Sequence, residues 1–159
     1  TYLIGKDCLR VSSFGSLGHF RKENAPEGAT ARCADGCPVE QTCAFSAIKA
    51  YVHADREVWP ANVCSHDHSA EAHLDAIKTG PYGRCVYDCD NDVVDHQVVA
   101  MEYEDGITVT FTMTAFTAGE GRRLRVHGSA GELFFDESSI TIQNFATGKK
   151  ETIEIGEET

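Results

Sequence analysis

The sequence predicts an α+β domain built on an open, predominantly antiparallel β-sheet with helices packed on one face. From Val93 onward, apolar and polar residues alternate with a period of two, and turn residues recur about every eight to twelve positions. Before Val93, the chain has short helical segments inside a stretch rich in Cys, Pro, Gly, His and Asp. Consecutive strands joined by short turns, with few helices, are typical of this fold class.

The composition narrows the classes of function. A chain of 159 residues with 42% hydrophobic content can bury one core, so a single domain is the default. Its 25 acidic and 14 basic side chains give a formal net charge of -11, which repels nucleic acid and anionic membrane surfaces. No apolar stretch approaches the roughly 18 residues of a membrane span, and we expect no export signal. The acidic charge therefore predicts no nucleic-acid or membrane partner. The odd number of cysteines favours a reducing compartment over a disulfide-linked secreted protein, so we expect a cytoplasmic location.

Residues 1–20 form the first zone. The opening from Thr1 to Gly5 has the pattern of the last turn of an apolar helix that ends at Gly5. A helix that lacks its beginning predicts that the chain is cut from a longer protein. A short strand is predicted from Leu9 to Phe14, followed by a loop.

Residues 21–92 form an irregular zone with predicted helices at about Ala44 to His53 and Ser69 to Thr79. The second helix is expected to end at Gly80 and Pro81, because proline cannot continue a helix.

Residues 93–159 form the sheet zone, and its clearest element is a hairpin from Val98 to Ala115 around Asp105-Gly106. With a two-residue loop, the threonines of the second strand would lie beside Val99, Met101 and Tyr103. A face of threonines and apolar side chains is neither a dry core nor a charged surface. We therefore predict helices on one side of the sheet and a second copy of the chain on the other. Further strands are predicted at Leu124 to His127, Glu132 to Phe135, Ile140 to Asn144 and Thr152 to Ile155.

Several of these runs resemble the C-terminal domain of the Gfo/Idh/MocA oxidoreductases, in a branch that carries cysteines. The runs are Tyr82 to Gln97, the Asp105-Gly106 hairpin, Gly128 to Leu133, and Phe14 to Leu17 leading to His19-Phe20. The resemblance covers nearly the whole chain. It implies an N-terminal Rossmann domain that binds NAD or NADP as the partner of this domain. It further implies a sheet that shapes the pocket for a sugar, polyol or related hydroxy compound and mediates homo-oligomerisation.

The chain departs from the complete enzyme that the resemblance implies. No G-x-G-x-x-G follows a strand, so no segment can bind a pyrophosphate in the usual way. The family's catalytic lysine belongs to the N-terminal part, and its aspartate-to-histidine motif would precede Thr1. We therefore expect no NAD(P) binding and no hydride transfer by this chain alone, and we assign no catalytic residue to it. The alternative is a non-catalytic binding or assembly module with a structural metal or thiol cluster.

Five cysteines gather in the irregular zone as candidate metal ligands. Their spacing is C-x3-C-x5-C followed by a second C-x3-C, and thiolates are preferred ligands of structural zinc. Reduced unligated cysteines, disulfides and an iron–sulfur cluster remain alternatives to zinc. The five are Cys33, Cys37, Cys43, Cys85 and Cys89.

Three histidines and an aspartate form a second cluster at the start of the second predicted helix. A metal could bind to His66, His68, His73 and Asp67, but a solvated helix start capped by Asp67 or Ser69 explains the same residues.

A polar group where the irregular zone enters the sheet supplies the candidate substrate-binding residues. His96 can donate a hydrogen bond or carry a proton toward a hydroxylated substrate. The alternative is that the Asp and Asn side chains close a turn and His96 packs on the sheet. The candidates are Arg84, Asn91, Asp92, Asp95 and His96.

Overall fold

The structure is a computed structural model that describes residues 2–118 and 121–156. It divides into two compact units, Thr1–Ala115 and Phe116–Thr159. Residues 2–4 form a turn, and Gly5 follows with a φ of 67°, as expected of a residue that ends such a turn. The predicted helix end begins at Thr1, which lies outside the described residues.

The first unit contains a three-stranded antiparallel sheet. Its strands are β1 (Cys8–Ser16), β2 (His96–Tyr103) and β3 (Thr108–Thr114), in the order β1-β2-β3. β1 extends the strand predicted from Leu9 to Phe14, and β2 and β3 are the predicted hairpin. More than 70 residues separate β1 from its neighbour β2 along the chain. Because Ser16, the last residue of β1, pairs with His96, the first residue of β2, the irregular zone leaves and re-enters the sheet at the same end.

The register of the hairpin differs from that of a two-residue loop. The loop has three residues, 104–106, with Asp105 at a φ of 60° and Gly106 at 72°. The Tyr103 N–H donates to the Ile107 carbonyl across 2.8 Å. A shift of one residue exchanges the two faces of a strand, so the expected placement of the threonines is wrong.

The observed pairing places a set of apolar side chains together on one face of the sheet. Val99 pairs with Phe111, and Met101 pairs with Val109, so these four side chains share one face of the sheet. On the other face, the β3 threonines lie opposite His96, Val98, Ala100 and Glu102.

The irregular zone forms less helix than predicted at its start. The segment expected to be helical from Ala44 is a π-helix limited to Ile48–His53. It begins late because the Ser46 hydroxyl accepts the Lys49 N–H (3.2 Å) and donates to a Glu40 carboxylate oxygen (2.5 Å). Such side-chain bonds to the backbone favour a cap over a helix interior.

The helix predicted from Ser69 to Thr79 is confirmed. Helix α1 (Ala70–Thr79) is capped by the Ser69 hydroxyl, which accepts the Ala72 N–H, and it ends at Gly80. Its buried residues, His73 and Ile77, lie where α1 packs on segments 48–53 and 81–83. Among the described residues, no helix is long and apolar enough to cross a membrane.

The second unit is a four-stranded antiparallel meander. Strands β4 (Leu124–His127), β5 (Gly131–Phe135), β6 (Ser139–Asn144) and β7 (Lys150–Glu154) pair in sequence order. They agree with the predicted strands to within two residues at each end. The predicted fold class is confirmed, with the strands divided between two open antiparallel sheets.

Gly83 sets how closely the segment after α1 packs against the helix. A Cβ on Gly83 would lie 1.7 Å from the Ile77 carbonyl oxygen, which is backbone and cannot rotate away. We therefore expect Gly83→Ala to lower the free energy of unfolding by about 1–3 kcal/mol or more, measured by urea denaturation. Gly18→Ala is the matched control, because its Cβ would meet nothing nearer than 3.6 Å. Equal stability of Gly83→Ala and the wild type would contradict this packing.

Candidate functional site

A buried carboxylate lies at the point where β1 ends and β2 begins. The side chain of Asp95 is 1% exposed. One of its oxygens, Oδ2, accepts the backbone N–H groups of Gly18 (2.9 Å), His19 (2.6 Å) and Phe20 (3.4 Å). The strand pairing positions it, since the Asp95 N–H also donates to the carbonyl of Ser16 (3.0 Å). Asp95 thus fixes the loop that follows β1.

The second oxygen of Asp95 fixes an imidazole. His96 Nδ1 lies 2.7 Å from Asp95 Oδ1, and because an ionised carboxylate can only accept, Nδ1 is the donor. Burial acts to raise the pKa of Asp95, but the hydrogen bonds from His19, His96, Phe20 and Gly18 outweigh it and lower this pKa to about 2. The carboxylate is therefore ionised at neutral pH.

The other imidazole nitrogen lies near a serine hydroxyl on a half-exposed side chain. The side chain of His96 is 54% exposed, and its Nε2 lies 3.4 Å from the hydroxyl of Ser16, the residue paired with it across the sheet. Ser16, His96 and Asp95 thus follow one another in space as the serine, histidine and aspartate of a hydrolytic triad do. The nearest loop N–H groups bind Asp95, so they do not form an oxyanion hole. The arrangement instead orients one imidazole for proton transfer at Nε2.

An aromatic cluster supports the same loop from the irregular zone. The rings of His19, Phe20, Phe45 and Tyr87 have centroids 4.9 to 6.1 Å apart. His19 Nε2 and the Tyr87 hydroxyl are 3.1 Å apart.

Next to this cluster is an open depression of about 440 Å³, bounded by residues 17–23 and 87–91. An ion pair between Lys22 and Asp88 (3.0 Å) joins its two sides. The depression combines aromatic surface with charged and amide groups. Its lining residues are Leu17, Phe20, Arg21, Lys22, Glu23, Tyr87, Asp88, Cys89 and Asn91.

Four of the five candidate cysteines line a different and much smaller cavity. Cys33, Cys37, Cys43 and Cys85 surround a space of about 20 Å³, whereas Cys89 lies at the open depression. All seven thiols of the chain are free. As the side chains stand, no group of three or more His, Cys, Asp or Glu within residues 2–118 and 121–156 is arranged to hold a metal ion.

A family model described as the GFO/IDH/MocA C-terminal domain matches residues 2–134. The chain belongs to this family. The match includes the whole first unit, with Asp95, His96 and the cysteine cavity, and ends within β5 of the second. No curated protein and no solved structure matches the chain significantly. The predicted resemblance is confirmed at the level of the family.

The five candidate substrate-binding residues of this family member lie in different surroundings. Asp95 and His96 are joined by a hydrogen bond, and Asn91 lines the depression while its side chain also accepts the Val93 N–H (3.3 Å). Arg84 pairs with Asp90 across 2.5 Å, and Asp92 is exposed.

The histidine cluster is not a single site. His66 and His68 are exposed, whereas His73 is fully buried in α1 and donates from Nδ1 to the Tyr51 carbonyl (2.7 Å). Asp67 accepts the Ser69 N–H, and Ser69 caps α1. The capping explanation therefore accounts for this segment.

Sequence reasoning missed Ser16 and the three N–H groups of residues 18–20. Nothing in their spacing identifies them, because both depend on the pairing of β1 with β2, which are distant in sequence. A glycine next to a histidine is too common a pattern to predict a carboxylate-binding loop.

The depressed pKa of Asp95 predicts a pH-dependent contribution to stability. Because its folded-state pKa is about 2 and its ordinary value is 3.8, the carboxylate stabilises the fold above about pH 4. This contribution is lost as the pH falls from about 4 to about 2. We expect Asp95→Asn to unfold at lower urea concentration than the wild type at pH 7, and the difference to shrink toward pH 3.

The exposed Asp92 provides the control, since Asp92→Asn is expected to leave the urea midpoint unchanged at both pH values. A difference between Asp95→Asn and the wild type that stays constant from pH 7 to pH 3 would show that the carboxylate charge is not the cause.

Proposed function

We propose that this chain is the substrate-side domain of an NAD(P)-dependent oxidoreductase acting on a sugar, polyol or related hydroxy compound. The observation that carries the proposal is the imidazole of His96, which is held at Nδ1 by a buried carboxylate and whose side chain is half-exposed, in a member of this family. Oxidation of an alcohol needs a base for the hydroxyl proton, and His96 supplies one.

The chain's own residues do not fit a dinucleotide. Gly15 and Gly18 are the only glycine pair near a strand end in the first sheet of the described structure, and each has a structural role. The Gly18 N–H binds Asp95, and a Cβ on Gly15 would lie 2.6 Å from the His96 carbonyl, so close strand packing explains that glycine. The proposal assigns NAD(P) to the N-terminal Rossmann domain that a C-terminal domain of this family implies as its partner.

His96 would act through Nε2. Its lone pair accepts the proton of the substrate hydroxyl, while Nδ1–H keeps its bond to Asp95. The imidazolium that forms is stabilised by the adjacent carboxylate, which stays ionised. The hydride of the carbon that bears this hydroxyl would pass to the NAD(P) held by the partner domain. In the reverse direction the hydride would return, and the imidazolium would give its proton to the carbonyl oxygen.

The depression beside the loop would hold the rest of the substrate. Arg21, Lys22 and Asn91 can donate to hydroxyl oxygens, and Asp88 can accept from hydroxyl groups. Tyr87 and Phe20 add aromatic surface against which an apolar ring face can pack. Polar groups around an aromatic patch favour a hydroxylated compound over a purely apolar one.

The test uses the full-length protein with NAD(P) and a panel of sugars and polyols. We expect His96→Gln to lower kcat by about 10²–10⁴-fold, with loss of the acid limb of the pH–rate profile. His127→Gln, in β4 of the second unit, is the control and is expected to keep the activity. Dehydrogenase activity that His96→Gln leaves intact would remove His96 from the reaction. The absence of any such activity would favour the non-catalytic binding or assembly module.

We also propose that the apolar face of the first sheet is covered by a second copy of the chain. Supporting this, Val11 and Phe111 on that face are 62% and 50% exposed, and they continue the rows formed with Met101 and Val99. An isolated three-stranded sheet with an open apolar face is a poor solution in water. A cytoplasmic location is part of the proposal, because a reducing compartment keeps free cysteines unpaired.

Phe111→Glu tests this interface. We expect the variant to shift the mass measured by light scattering toward the monomer, because a charge would be buried between the copies. Thr110→Glu, on the opposite face of β3, is expected to leave the mass unchanged. A wild-type protein that is monomeric at high concentration would contradict the proposal.

A further inference from the structure

Four thiols from separate parts of the irregular zone meet at one small cavity. Cys33 and Cys37 come from one segment, Cys43 follows a turn, and Cys85 lies more than 40 residues further along the chain. The cavity that they line has a volume of about 20 Å³. Such a space accommodates one water-sized particle or one metal ion.

The backbone holds these cysteines independently of their side chains. The segments that carry Cys33 and Cys85 form an antiparallel bridge, in which the Cys33 N–H donates to Gly83 (3.1 Å) and the Cys85 N–H to Ala31 (2.8 Å). The Cys43 N–H donates to the Val39 carbonyl across 2.8 Å. Backbone hydrogen bonds therefore fix all three segments around the cavity.

The bridge is also anchored to α1. The guanidinium of Arg32 donates to the carbonyls of Ile77 (3.0 Å), Thr79 (3.1 Å) and Gly80 (2.9 Å) at the C-terminal end of the helix. A cation at this end of a helix is favourable, because its last carbonyls have no partner within the helix. The thiol positions are thus tied to the best-packed part of the irregular zone.

A hydrogen-bond donor points at one of the sulfurs. The Ala47 N–H donates to Cys33 Sγ across 3.4 Å. Donors of this kind stabilise thiolates, the form in which cysteine binds metals.

The surroundings favour a neutralising ion over free thiolates. Pro26, Val39 and Phe45 line the same cavity. Several thiolates in so small an apolar space would repel one another strongly. A divalent cation removes that repulsion and joins the separate segments that carry these cysteines.

We propose that Cys33, Cys37, Cys43 and Cys85 bind one Zn²⁺ as a structural four-thiolate site, and that Cys89 is not a ligand. Binding forms four Zn–S bonds and releases the four thiol protons to solvent, with no change of oxidation state. A tetrahedral site needs sulfurs about 3.8 Å apart around zinc at about 2.3 Å. The present side-chain orientations do not provide this, but rotation about χ1 moves a cysteine sulfur by about 3 Å without moving the backbone.

The size of the cavity bears on whether the four cysteines would hold zinc or an iron–sulfur cluster. An all-cysteine set suits zinc and iron–sulfur clusters alike, and the cavity as it stands, about 20 Å³, favours a single ion over a cluster of several irons and sulfides. Cys89 is excluded because it lines the open depression, and its thiol donates to the Val86 carbonyl (3.6 Å).

The test measures metal content and thiol reactivity of the full-length protein, purified without chelators from zinc-containing medium. We expect about one zinc per chain that persists on dialysis, with Cys85→Ser losing it and Cys89→Ser keeping it. Co²⁺ in place of zinc should give the visible absorption of tetrahedral thiolate coordination in the wild type and in Cys89→Ser. If Cys85→Ser fails to fold, the wild type alone tests the proposal. Its thiols at Cys8, Cys64 and Cys89 should react with a thiol reagent before a chelator is added, and the four ligand thiols should react only afterwards.

Three results would overturn the proposal. In the first, the protein carries no zinc, takes up no Co²⁺ and exposes all seven thiols at once. In the second, it contains iron with sulfide and absorbs near 400 nm as isolated. In the third, Cys89→Ser loses zinc as completely as Cys85→Ser.

Discussion

The buried carboxylate of Asp95 is the constraint on which the candidate site depends. It lies where the long irregular zone re-enters the sheet, and it accepts three backbone N–H groups from the loop that leaves β1. The same side chain sets the tautomer of His96. An ionised group removed from water is costly unless its hydrogen-bonding capacity is filled, and here both oxygens are bonded. The loop, the strand end and the imidazole therefore form one cooperative unit.

The irregular zone holds a small apolar core that includes Val52, Ile77 and Tyr87. Of its buried residues, Ser46 and His73 are polar, and both are held by specific hydrogen bonds, such as that from His73 to the Tyr51 carbonyl. Close backbone packing at Gly83 and the fork of bonds from Arg32 add to these contacts. A metal at the cysteine cavity would be the remaining link. In this view, polar and thiolate contacts add to the small apolar core of the zone, and the aromatic cluster around Tyr87 connects the zone to the Asp95 loop.

Local sequence patterns predicted most of the fold. The features that they did not predict depend on contacts between residues that are distant along the chain or on the exact strand register. Period-two alternation and turn residues located every strand, because both are properties of neighbouring residues. The hairpin register was wrong because one extra loop residue, Glu104, exchanges the two faces of β3. Asp95 and His96 were identified as candidates, but Ser16 was not, since only the β1–β2 pairing places it beside His96. Likewise, cysteine spacing grouped five thiols, and only the folded backbone separates Cys89 from the other four.

The central claim is that Asp95 holds the loop of residues 18–20 and, through it, the site. Amide hydrogen exchange followed by NMR tests it most directly, with Asp95→Ala compared with the wild type. The account predicts slow exchange at Gly18, His19 and Phe20 in the wild type, and a large acceleration confined to these amides in the variant, with β3 unaffected. Exchange at these three amides that is already as fast as in an unstructured peptide in the wild type would contradict it.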